Sequence, residues 1–184
     1  MQALHNRKLG LALVKPRTGS YGGSKIKSHL MKILEDLFKT DGTFSTLLLR
    51  LTLGAVFFPH GAQKVLGWFG GYGFAGTMGF FTGTLHIPAV FAFLAIATEF
   101  AGSIALILGL GTRLAALGIA STMAVAVAMV HAQFGFFMNW AGTQKGEGYE
   151  YHLLALGMAL ALILRGGGKW SLDAAIARTL EERS

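Results

Sequence analysis

Four apolar segments set the first constraint on this chain. Phe44 to Leu66, Pro88 to Leu110, Leu114 to Phe134 and Tyr149 to Leu164 each approach the ~20 residues that cross about 30 Å of hydrocarbon as a helix. In a chain of 184 residues, 53% hydrophobic and 14% charged side chains argue against a water-soluble domain. The connections between the segments are too short to separate two domains. The expected fold is therefore all-α: an integral membrane, up-down-up-down four-helix bundle over residues 44–166. It is preceded by a basic N-terminal extension, 1–43, and followed by a cytoplasmic tail, 167–184.

The formal charge of +7 raises the possibility of nucleic acid, which the distribution of basic residues argues against. Eight Lys or Arg precede residue 40, four lie from Arg165 onward, and Arg113 sits in the turn between the second and third segments. Loops 67–87 and 135–148 contain only Lys145. That asymmetry predicts both termini and the middle turn on the cytoplasmic side and the two loops outside; the localisation expected is a prokaryotic plasma (inner) membrane, multi-pass. The partners it implies are the lipid bilayer and its anionic headgroups, with no nucleic acid. The chain has no cysteine, so disulfides, thiolate-ligated iron–sulfur clusters and Cys-X-X-Cys relays are ruled out. The run GLALV near the beginning is shorter than the core of a secretory signal, and no cleavage is expected.

Residues 1–23, polar and glycine-containing, read as disordered. Ile26, Leu30, Ile33, Leu34, Leu37 and Phe38 then recur at helical spacing, which predicts an amphipathic interfacial helix on the inner leaflet. The loop from Gly67 to Ile87 holds seven glycines and six aromatics; Trp68 and Tyr72 suit headgroup depth, and a short half-embedded helix is expected around Phe74 to Leu85. Gly71, Gly73 and Gly76 match a dinucleotide-binding spacing, but no strand precedes them. Small residues at Ala97, Ala101, Ala105 and Gly109, and at Ala116, Ala120, Ala124, Ala128 and Ala132, predict a tight hairpin of the second and third segments. Ser171 is placed to cap a short tail helix with Leu172, Ile176 and Leu180 on one stripe.

Ionisable side chains at membrane depth are costly unless they face the bundle interior or a wet cavity. Counting rise per residue, Glu99 lies roughly 16 Å below the outer boundary and Arg50 about 8 Å deeper. His60 lies about 9 Å in, and Lys64, His131, Glu150 and His152 lie within about 5 Å of the boundary. Arg50, Leu53, Phe57, His60 and Lys64 share a face, beside a Pro59 expected to kink the helix. Glu150 and His152 point to opposite sides, so one of them is expected to turn inward. A polar column descending from the outer surface results. Its purely structural reading is that Arg50 snorkels or neutralises Glu99, Lys64 reaches the interface, and the histidines satisfy carbonyls. Two of His60, His131 and His152 could also serve as haem ligands, although nothing else favours haem. No histidine pair has metal-ligand spacing on one helix, so no metal site is expected.

LLLRLTLGAVFFPHGAQKVLGWFGG, then LAIATEFAGSIALILGLGTRLAAL, AVAMVHAQFGFF and GYEYHLLALGMALAL together resemble the DoxX family of small four-span membrane proteins, over roughly residues 44–166. The resemblance implies an integral membrane protein of oxidoreductase systems. Relatives include the membrane subunit of thiosulfate:quinone oxidoreductase and proteins that assemble with soluble redox enzymes, while distant four-span relatives act as chaperones or sorting factors. By position it carries over Arg50, His60, Lys64, Glu99, His131 and Glu150 as the motif residues, here read as cofactor-binding, with no catalytic residue assigned. The function expected is a quinone-interacting or membrane-anchoring subunit of an oxidoreductase complex, with soluble or membrane redox partners and quinone as cofactor. The alternative is a non-enzymatic scaffold, assembly factor or small-solute permease. The oligomeric state is open.

Overall fold

The computed structural model describes residues 21–182, and all regular structure among them is helical, with no strand. The expected disorder of residues 1–23 falls mostly outside the described residues, and Tyr21 to Gly23 already belong to the first helix. The helices are α1 Tyr21–Phe38, α2 Phe44–Leu66, α3 Gly73–Gly79, α4 Ala89–Leu108, α5 Thr112–Phe134, α6 Glu150–Arg165 and α7 Leu172–Glu181.

The start of α2 is set by side chains that satisfy its free amides. Thr43 accepts from the Thr46 amide, and the Asp41 carboxylate accepts from the Thr43 amide at 3.0 Å and the Thr46 hydroxyl at 3.0 Å. Arg165 pairs with the same carboxylate at 3.3 Å, which ties the end of α6 to the start of α2. Burial alone would raise the Asp41 pKa; the hydrogen bonds from Thr43 and Thr46 and the pairing with Arg165 outweigh it and hold the carboxyl below its ordinary value. α2 continues through Pro59 and stops at Gly67, which is left-handed with φ 72°.

Helices α2, α4, α5 and α6 pack side by side, each antiparallel to the next. On α2 and α4, Gly54 faces Ile107 while Gly61 faces Phe100. On α5 and α6, Arg113 donates to the carbonyls of Ile163 and Leu164, whereas the His131 ring lies 4.1 Å from that of His152. α6 returns to α2, where Tyr151 stacks on Phe57 with ring centroids 6.3 Å apart. The core they share includes Leu53, Phe57, Leu106, Ile119, Ala159 and Leu162.

The alanine stripes do not form the predicted seam along its length. Ala116 is buried, but Ala101, Ala124, Ala128 and Ala132 are exposed. α4 and α5 touch closely only near their hairpin, where Gly102 faces Ala115 and Gly118 faces Thr98, and beyond it a cavity opens between them. α2 and α4 do approach closely: a Cβ on Gly61 would stand 2.5 Å from the Phe100 Cα. Such close backbone packing is how helices associate when apolar surface is not driven together by water.

Two helices, α4 and α5, are long and apolar enough to cross a membrane, and only 33% and 17% of their most apolar windows are buried. Their outward surfaces carry Phe91, Phe93, Leu94, Leu114 and Leu117. α2 has the length, 23 residues, but carries Arg50, His60 and Lys64, and α6 has only 16 residues against the ~20 of a full span.

Two measurements test this packing. Gly61→Ala forces α2 away from the α4 backbone and is expected to destabilise the protein by about 1–3 kcal/mol in detergent unfolding. Because the Asp41 pKa is depressed in the fold, its contribution is complete above the ordinary value of 3.8 and is lost as pH falls through the lower folded value. Asp41→Asn is expected to lower stability at neutral pH and to flatten the acid limb of the stability–pH curve below that value.

Candidate functional site

The four packed helices differ at their two ends. At the end holding α1, α7 and the termini of the described chain, most polar side chains bond backbone groups, although the buried Thr112 Oγ1 and Arg113 Nε have no partner among the described residues. Arg50, 1% exposed, donates through Nη1 to the carbonyls of Leu106 at 2.8 Å and Ile107 at 2.6 Å, and through Nε to that of Gly167 at 2.9 Å. Nη2 reaches the Trp170 carbonyl at 3.4 Å. The buried Asp173 accepts from the amides of Gly111 at 2.7 Å and Thr112 at 2.9 Å, capping the first turn of α5. Ser171 accepts from the Ala174 amide and starts α7.

At the opposite end, α4 and α5 part and leave a cavity of about 970 Å³. Of the residues predicted as a site, His60, Lys64, Glu99 and His131 line it; Arg50 and Glu150 do not. Arg50 points away from Glu99 to the helix-end carbonyls described above. The partner of Glu99 is Lys64, whose Nζ donates to Oε2 at 2.5 Å. The Glu99 side chain is 5% exposed and that of Lys64 23% exposed, so a nearly buried carboxylate is balanced by a cation that keeps some contact with solvent.

Local helix geometry aims these groups. The turn Thr98–Gly102, which carries Glu99, and the turn Val127–His131, which ends at His131, are both widened to π-helix. A π-turn adds a residue without breaking the helix and so re-aims the side chains on it, a device common at functional sites. In α4 it leaves Ala92, Ile96, Glu99, Ser103 and Leu106 all on the buried face.

His131 and His152 meet ring to ring at 4.1 Å, leaving no room for a porphyrin plane between them. The His131 Nδ1 lies 2.8 Å from the Glu147 carbonyl, which can only accept, so in the neutral ring Nδ1 carries the proton and Nε2 keeps its lone pair. His152 is 6% exposed, and its Nδ1 and the Tyr151 hydroxyl, both buried, have no hydrogen-bond partner among the described residues. Both residues line the cavity. Among the described residues, no three or more His, Cys, Asp or Glu gather as a metal-binding group.

Of Glu150 and His152, it is therefore His152 that turns inward. Glu150 organises the preceding loop, accepting from the Met138 amide at 3.1 Å and the Trp140 indole at 3.3 Å. Tyr151 is not among the residues that the sequence singles out, and His152 enters there only as the alternative to Glu150 for the inward position and as a possible haem ligand, not as a motif residue. The available signal was the buried face His152, Ala155, Ala159 and Leu162, spaced as one helical stripe. The cavity is roofed by the aromatic segment after α3, with Phe80, Phe81, Leu85 and His86 on its wall.

Comparison with known proteins agrees with the motifs. The DoxX family model matches residues 45–132. A curated protein of Bacillus subtilis (strain 168) named "Putative oxidoreductase CatD" is 32% identical over 117 residues, covering 64% of this chain and 77% of that protein. The chain belongs to the DoxX family. The DoxX match holds Arg50, His60, Lys64, Glu99 and His131 and stops before Tyr151 and His152, so the last wall of the cavity lies outside it. No solved structure matches.

The Lys64–Glu99 pair predicts a thermodynamic cycle. Glu99→Leu alone leaves a half-buried ammonium unpaired and is expected to cost about 2–4 kcal/mol, while Lys64→Met with Glu99→Leu recovers most of that loss. Unfolding of the two singles and the double in detergent reads the coupling; purely additive losses would mean that the pair is not formed.

Proposed function

We propose that this DoxX protein is an integral membrane, up-down-up-down four-helix bundle that binds a quinone in the cavity between α4 and α5, as the membrane subunit of an oxidoreductase complex. The outward apolar surfaces of α4 and α5 support the membrane placement, and the excess of Lys and Arg near both termini supports a plasma-membrane orientation with the termini cytoplasmic. The ionisable groups of the cavity then sit near the outer face, within the bundle, where intramembrane charges are tolerated.

One observation carries the quinone reading. The buried Tyr151 hydroxyl and His152 Nδ1 lack partners on a cavity whose other walls are largely apolar. Unsatisfied buried polar groups cost free energy that a ligand can recover. A flat head with two carbonyl oxygens and an otherwise apolar body suits that wall, and the volume of about 970 Å³ lies at the upper end of ordinary ligand pockets. A bound quinone supplies two-electron, two-proton redox chemistry, with the electrons coming from a redox partner subunit.

The chain's own residues have separable tasks. Tyr151 donates a hydrogen bond from its hydroxyl to a head oxygen. His131, its Nδ1 held by the Glu147 carbonyl, presents Nε2 at a fixed orientation, where it would take a proton from the solvent side and deliver it to a head oxygen as the quinone is reduced. His60, exposed at the cavity mouth, exchanges protons with solvent. Lys64 neutralises Glu99 so that the interior of the cavity carries no net charge from the pair. Phe57 holds the Tyr151 ring by stacking on it.

Protein purified in mild detergent is expected to retain quinone on organic extraction. In lipid nanodiscs, Tyr151→Phe is expected to weaken quinone binding about tenfold, the size of one lost buried hydrogen bond. His131→Ala is expected to slow quinone reduction in membranes more than it weakens binding. Absence of both retained quinone and measurable affinity would refute the proposal.

A further inference from the structure

The cavity is not closed on its flank. Its wall continues along the outside of the α4–α5 hairpin, through Phe91 and Leu94 on α4 and Leu117, Ser121 and Val125 on α5, all exposed. From Leu114 to Val130 this furrow follows α5 for about 24 Å at the helical rise. Its inner end opens on the polar groups Lys64, Glu99, His131 and His152, while the furrow itself offers only apolar surface and the hydroxyls of Thr98, Ser121 and Thr122. The Ser121 and Thr122 hydroxyls are spent on the Leu117 and Gly118 carbonyls of their own helix. Above, Phe80, Phe81 and Leu85 cover the cavity on the loop side.

We infer that the ligand enters sideways, from the bilayer through the gap between α4 and α5, and is a chain-bearing amphiphile whose single long apolar tail lies in the α4–α5 furrow while its head occupies the polar chamber. The inference rests on the quinone reading and narrows it to long-chain quinones. Its physical basis is the segregation of the wall. A water-soluble substrate would need polar groups along its path, whereas a furrow of Phe, Leu and Val running into a chamber with orphaned polar atoms matches a molecule with one polar and one apolar end. The divergence of α4 and α5 beyond the Thr98–Gly118 contact makes the side opening. The two helices that flank the opening are also the two that are long and apolar enough to face lipid.

The test uses full-length protein in phosphatidylcholine nanodiscs and two probes with one head: 2,3-dimethoxy-5-methyl-1,4-benzoquinone and its 6-decyl derivative. Affinities are expressed per mole fraction in the lipid, which removes the gain from simple partitioning. The decyl compound is expected to bind at least about tenfold tighter, since its chain, already in apolar lipid, gains close packing against the furrow wall. Ser121→Trp fills the furrow outside the head chamber and is expected to remove that gain while leaving the affinity of the chainless head unchanged. Leu117→Ala, which thins the wall, is expected to reduce the gain, and serves if the tryptophan variant does not fold. Equal affinity of the two probes in the unmodified protein, or a gain that survives both substitutions, overturns the inference and leaves the quinone reading standing. Failure of both probes to bind overturns both.

Discussion

The architecture depends on how one buried guanidinium is satisfied. Arg50 sits on the buried face of α2, almost fully removed from solvent, and its five N–H donors need acceptors that no carboxylate among the described residues supplies at hydrogen-bond distance. It finds them in the Leu106 and Ile107 carbonyls at the end of α4 and in the segment 167–170 that leads into α7. The Leu106 carbonyl also accepts from the Gly109 amide, so Arg50 adds a second bond there and binds the neighbouring Ile107 carbonyl at the helix end. Asp173 does the converse for the amides at the start of α5. Together they fasten α2, α4, α5 and the tail at one end.

Helices fastened at one end can part at the other. α4 and α5 leave their hairpin in contact and then separate, and the chamber at the far end is kept from collapsing by groups that would be costly to bury unpaired. The Lys64–Glu99 pair is the main one, held at 2.5 Å between α2 and α4. The two π-turns place Glu99 and His131 on the inner side of helices that continue unbroken. Gly61 and Gly54 let α2 approach α4 closely enough for a lysine from one to reach the carboxylate of the other. Ion pair, helix irregularity and close packing are thus parts of one arrangement.

Much of the candidate site was legible because charges in long apolar segments are rare and must be accommodated. His60, Lys64, Glu99 and His131 were read as one column from depth and helical angle, and they line one cavity. Two assignments went differently for physical reasons. Arg50 shares the buried face of α2, as helical angles predict, but a long side chain can reach either way along the helix, and the carbonyls of Leu106, Ile107, Gly167 and Trp170 lie on the side away from Glu99. Glu150 stands at the first residue of α6, where loop amides and the Trp140 indole compete for it, which leaves His152 to face inward. The alanine stripes misled because small residues permit close packing without requiring it, and the pairing of α5 with α6 took the place expected of α4.

The sequence by itself determined the long helices, the amphipathic α1, the caps at Thr43 and Ser171, and the set of polar residues that had to be hidden, because these follow from local periodicity and from the cost of desolvating charge. Only the tertiary structure decided which helices meet closely, which cation answers Glu99, and which wall of the cavity carries unpartnered polar atoms. Those depend on where the ends of helices distant in sequence come together, and on two π-turns whose extra residue cannot be read from a 3.6-residue period.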